Sequence, residues 1–176
     1  MKHTAPIARN AILFAASAAL LGACAFFQPE KVGQAVGTEY TITVRNSLAR
    51  EKFAPILIVG DADDRKIWVG NYVSPEARTQ FTTGNPGPLA GVLGGDQGQP
   101  GNLGVGASMT FSFKTTARKA RITAMVHPDV TPDNYVTTLI DLRSGSTATL
   151  ERFDIGDDEG RKSVQKVGPA GTVSIK

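Results

Sequence analysis

Residues 153–160, Phe153-Asp154-Ile155-Gly156-Asp157-Asp158-Glu159-Gly160, set four carboxylates in eight positions with glycines among them. Carboxylates at that density serve three ends: they solvate a turn, they pair as general acid and base in glycoside hydrolysis, or they hold a hard cation. Calcium takes roughly six to eight oxygens from carboxylates, carbonyls and water. Asp154, Asp157, Asp158 and Glu159 could supply the charge, while Gly156 and Gly160 let the backbone turn its carbonyls inward. The spacing is not that of an EF-hand, and composition by itself favours the solvated turn.

Other chemistries lack their residues. The sequence holds two histidines, His3 and His127, and one cysteine, Cys24. Zinc would want several such ligands. His127, in Met125-Val126-His127-Pro128-Asp129, follows a strand signal and reads as structural or solvated. No G-x-S-x-G elbow presents a serine nucleophile. A paired-acid glycosidase would want aromatic stacking surfaces, and Trp68 is the one tryptophan.

The elements that must position the acids are strands. Tyr40-Thr41-Ile42-Thr43-Val44, Met109-Thr110-Phe111-Ser112-Phe113, Ala148-Thr149-Leu150-Glu151-Arg152-Phe153 and Thr172-Val173-Ser174-Ile175 alternate apolar and polar with period two, the mark of half-buried strands. Ile56-Leu57-Ile58-Val59 is a continuous apolar run, Ile67-Trp68-Val69 follows it, and Arg121 to Val126 is a further strand. Residues 134–140 could be a strand or a buried loop. One helical turn is expected at Ser74-Pro75-Glu76-Ala77-Arg78, where a serine N-cap precedes proline. Many short strands and little helix predict an all-β antiparallel sandwich.

Residues 84–106 carry nine glycines and three prolines in 23 positions. No G-K-[ST] follows, so a phosphate loop is not indicated; a flexible Gly-rich loop between strands is the expectation.

At the N-terminus, Lys2 and Arg9 precede an apolar stretch, Ala11 to Ala23, that is too short to span a bilayer. It ends on Leu21-Gly22-Ala23-Cys24, which resembles the lipobox of bacterial lipoproteins. That resemblance implies a signal peptide over 1–23, acylation of Cys24, attachment to a membrane through the acylated cysteine, and a tether over 24–38. Ala25 in place of aspartate implies the outer rather than the inner membrane of the cell envelope. Removing Lys2 and Arg9 from 19 basic residues leaves 17 against 16 acidic ones, a formal +1. A nucleic-acid partner is therefore not expected.

The domain over 39–176 also resembles the spondin N-terminal domain in three stretches taken in order. They are Tyr40 to Asn46 with Phe53 to Val59, then Thr123 to Val126 with Pro132-Asp133-Asn134-Tyr135-Val136, and then Phe153 to Gly160. The resemblance implies an eight-stranded, C2-like antiparallel sandwich with a calcium ion between acidic loops. Asp133 matches the aspartate of the family's "PDW", and Asp154 and Asp158 match the two aspartates of its "DAGTD". Main-chain oxygens near Ile155 would assist, and Asp157 and Glu159 would face solvent. The chain departs from the family at Asn134-Tyr135, at Thr137 and in the Gly-rich segment. The function implied is a non-enzymatic binding or adhesion module contacting a protein or matrix partner. A periplasmic hydrolase using paired carboxylates and an accessory subunit of an envelope complex are the alternatives.

Overall fold

The computed structural model describes residues 36–127 and 133–176. The leader expected over 1–23, Cys24 and most of the expected tether lie outside the described residues, as do residues 128–132. In chain order the elements are β1 (Thr38–Asn46), β2 (Phe53–Gly60), a 3₁₀ turn (Asp64–Lys66), β3 (Trp68–Val69), β4 (Tyr72–Val73), α1 (Pro75–Thr83) and α2 (Gly87–Leu93). Then come β5 (Gln97–Leu103), β6 (Ser108–Thr115), β7 (Lys119–Val126), β8 (Asn134–Asp141), β9 (Thr147–Asp154) and β10 (Gln165–Ile175).

Eight strands form one antiparallel sheet in the order β5-β2-β7-β8-β9-β10-β1-β6, and β3 pairs with β4 as a separate ribbon. The fold is an all-β sandwich whose single sheet nearly closes into a barrel. At the seam β5 and β6 approach without exchanging ladder hydrogen bonds. Gly98 of β5 lies over both Ile58 and Phe113, and a Cβ built there would stand 2.9 Å from Ile58 Cγ2 and 3.5 Å from Phe113 Cδ2. A second close approach falls on β10, where a side chain at Gly171 would overlap the Arg45 carbonyl oxygen of β1.

Period-two alternation points Ile42 and Val44 of β1, Phe113 of β6, Leu150 of β9 and Val173 of β10 into the barrel, where all are buried. Their neighbours Thr41, Thr43, Thr110 and Thr172 face outward. β2 behaves differently because both of its faces are covered. Ile56 and Ile58 join the barrel core, while Leu57 and Val59 join a second cluster with Phe81, Leu89, Tyr135 and Ile155. That double burial is the physical meaning of the unbroken apolar run at 56–59.

The second cluster lies beneath a cap made by β3, β4, α1 and α2. Ser74 caps α1 through its side chain, Pro75 occupies the first turn, and Gly84 closes the helix in the left-handed region at φ 71°. The single turn expected here is thus a nine-residue helix. The ring of Phe81 stacks on Tyr135 at 3.8 Å between centroids, and Trp68 Nε1 donates to the Tyr135 hydroxyl at 2.9 Å. Stacking of this kind adds about 0.5–1.5 kcal/mol beyond the area buried.

The expectation of a flexible loop at 84–106 is corrected: this segment holds α2 and β5. Leu89, Ala90 and Leu93 are buried against the second cluster, so packing overrides the poor helix propensity of Gly87 and Gly91. The open question at 134–140 is resolved as β8.

Candidate metal centre

The register of β8 against β9 builds the site. Asn134 pairs with Asp154 and Tyr135 with Phe153, so Asp133 falls opposite Ile155, whose N–H donates to the Asp133 carbonyl at 3.3 Å. An antiparallel pair thereby brings together two acids twenty-one residues apart. Ile155 is fully buried in the second cluster and pins the start of the β9–β10 turn. The turn then closes on itself. Ser163 N–H reaches the Ile155 carbonyl at 3.1 Å, and Lys162 N–H reaches that of Gly156 at 3.1 Å. The left-handed φ of 72° at Gly156 leaves no comfortable place for a side chain, and a Cβ there would press on Arg161 at 3.0 Å.

Four carboxylates converge on this turn. Asp133, Asp154, Asp158 and Glu159 each present one oxygen, and these oxygens lie within 4.8 Å of one another. Asp133 is the buried member at 3% exposure, whereas Asp158 and Glu159 are exposed. Its Oδ2 accepts the N–H groups of Asp157 at 2.6 Å and Asp158 at 3.3 Å. Asp154 Oδ1 accepts from Gly156 N–H at 2.6 Å. Arg161 Nη2 donates to Asp154 Oδ2 at 2.8 Å and to Glu159 Oε2 at 3.0 Å. Behind Asp133, Arg152 Nε donates to Asn134 Oδ1 at 2.6 Å and pairs with Glu51 at 3.1 Å.

Among the described residues the donor set is oxygen only, the kind that hard cations prefer. Among the described residues, one guanidinium against four carboxylates leaves three formal negative charges in a space about one ion across. Opposed ligands at calcium distances lie about 4.6–5.2 Å apart, so the 4.8 Å limit matches a single shared ion. The cluster could therefore hold a metal ion.

The three aspartates expected at a cation site, Asp133, Asp154 and Asp158, are brought together. Glu159 faces solvent as expected, its side chain 49% exposed, and it also joins the cluster. One expectation beside them is corrected. Asp157 does not face solvent: its side chain is 11% exposed and accepts from the Tyr72 hydroxyl of β4 and from Arg78 Nε of α1. Burial and this hydrogen bond raise the Tyr72 hydroxyl above the ordinary tyrosine range. The Ile155 carbonyl is already occupied by Ser163 N–H. His127 stands just past the end of β7, where its main-chain N–H donates to the Lys52 carbonyl at 2.8 Å.

Sequence reasoning missed Arg161, Arg78 and Tyr72. Arg161 carried a signal, a basic residue one glycine beyond an acidic run. Arg78 and Tyr72 lie 79 and 85 positions from Asp157, and nothing local marks them. In comparisons with known proteins, no family model and no curated protein sequence matches the chain. Fold and site together define an antiparallel β-sandwich with an acidic turn whose carboxylates could hold a metal ion.

Proposed function

We propose that the chain is a calcium-stabilised, spondin-like β-sandwich that acts as a non-enzymatic binding or adhesion module of the bacterial envelope. In this reading the acylated Cys24 holds it to the outer membrane. The observation that carries the metal assignment is the convergence of Asp133, Asp154, Asp158 and Glu159, from two connections of the sheet, on one point. Asp133 and Asp154 would grip the ion from the sheet side, and Asp158 and Glu159 from the turn.

The paired-acid hydrolase is less well supported. Its two carboxyls should flank a substrate bond about 5–9.5 Å apart across an open cleft. Here the acids crowd within 4.8 Å and Asp133 is sealed beneath the turn.

A calcium titration followed by thermal melting tests the reading. Binding to the native state raises stability as RT ln(1 + [L]/Kd), about 2.7 kcal/mol at a hundredfold excess over Kd. The rise should vanish in an Asp154→Asn/Asp158→Asn double variant. An equal rise in that variant would remove the site assignment. The anchor is tested separately, since Cys24→Ser should release the protein from the membrane fraction.

A further inference from the structure

An open pocket of about 350 Å³ lies at the end of β8 opposite the acidic turn, between the β6–β7 connection and the β8–β9 turn. Buried Ala117 and Leu142 and half-buried Tyr40 give it apolar lining; Arg118, Asp141 and Arg143 are its charged residues, all exposed. Asp141 stands 3.7 Å from Arg143 Nη2 and 4.0 Å from Lys119 Nζ, both beyond hydrogen-bond reach. The pocket thus holds two guanidinium groups and one loosely held carboxylate, which does not consume the donors of Arg118 and Arg143.

The geometry points to a phosphate-binding pocket, in which Arg118 and Arg143 grip the oxyanion and Tyr40, Ala117 and Leu142 receive the part of the ligand attached to it. A planar carboxylate has two oxygens and saturates one guanidinium fork. A tetrahedral phosphate offers a third and a fourth, enough for two forks arriving from two separate connections. The same chemistry is presented by a free phosphate ester and by a phospholipid headgroup. Thr38 pairs with Thr115, so the start of β1 lies beside this pocket. The headgroup source rests on the lipid-anchored reading proposed above; the pocket itself does not, and it is independent of the acidic turn.

Titrating inorganic phosphate into the full chain at constant ionic strength, followed by amide NMR, tests the pocket. Saturable shifts are expected at Tyr40, Thr116 and Leu142, with a Kd on the order of millimolar. Arg118→Gln/Arg143→Gln should weaken binding by about tenfold or more while leaving the melting temperature unchanged, because both side chains are exposed. A second arm compares co-sedimentation of the two proteins with phosphatidylglycerol vesicles and with phosphatidylcholine vesicles. The leader contributes equally to both proteins, so an excess of wild type on phosphatidylglycerol assigns the headgroup. Saturable phosphate binding without that excess assigns a free ester. The proposal is overturned if phosphate gives only linear shifts and the two proteins sediment alike, or if the double variant binds phosphate as tightly as wild type.

Discussion

Asp133 Oδ2 accepts the main-chain N–H of Asp157 at 2.6 Å, across 24 positions of sequence. With the N–H of Asp158 beside it, this carboxylate holds the acidic turn in shape from below. Hydrogen bonds to a charged acceptor contribute about 1.5–3 kcal/mol. Asp133→Asn keeps the volume and loses the charge. It should therefore lower stability by about that amount without metal and abolish the calcium-induced rise in melting temperature. A variant that melts like wild type and still responds to calcium would contradict the arrangement.

Arg161 is the only cation bonded to the cluster among the described residues, through Asp154 and Glu159. Its side chain is 31% exposed, so the pairs are worth about 0.5–1 kcal/mol at most. Arg161→Ala should destabilise the metal-free protein by that small amount. It should also tighten calcium binding on the order of tenfold, about 1.4 kcal/mol, because a competing positive charge is gone. Isothermal titration reads the affinity, and weaker binding in the variant would count against a shared cation position.

Tyr72 and Arg78 meet on one carboxylate, Asp157, and so join the helical cap to the acidic turn. Tyr72→Phe should cost about 1–2 kcal/mol in denaturant unfolding. The costs of Tyr72→Phe and Arg78→Ala should not add, since each removes a partner from the same group. Strict additivity in the double-mutant cycle would show that the two bonds act separately.

Burial pushes the Tyr135 hydroxyl up to about 12, against an ordinary value near 10. A raised folded-state value favours the neutral phenol. Its contribution, about 2–3 kcal/mol, is fully present below about pH 10 and is lost as the pH rises through about 12. Tyr135→Phe should flatten this alkaline limb relative to wild type while costing about 1 kcal/mol at neutral pH, because Trp68 Nε1 loses its acceptor. Chemical denaturation of both proteins at a series of alkaline pH values measures the difference.

The strands could be read from the chain because alternation is a local property. Ile42 and Val44, alternating with Thr41, Thr43 and Arg45, state which face is inside. The convergence of Asp133, Asp154 and Asp158 was legible through the ordered family-like motifs, and the β8–β9 register supplies its mechanical reason. α2 was not legible. Its residues Gly87 to Leu93 have the composition of a loop, and only the distant partners of Leu89 and Leu93 in the second cluster make a helix of them. The place of Asp157 was hidden for the same reason. An acid among acids looks solvated until β4 and α1, more than seventy residues earlier, are folded over it.

The seam between β5 and β6 bears on self-association. Two end strands with free backbone groups invite neighbouring molecules to zip on. β5 is a poor template: Pro100 lacks a donor, Gly98 and Gly101 offer little side-chain surface, and its register against β2 shifts twice. A barrel left slightly ajar along so irregular a line gives other copies of itself little backbone to pair with.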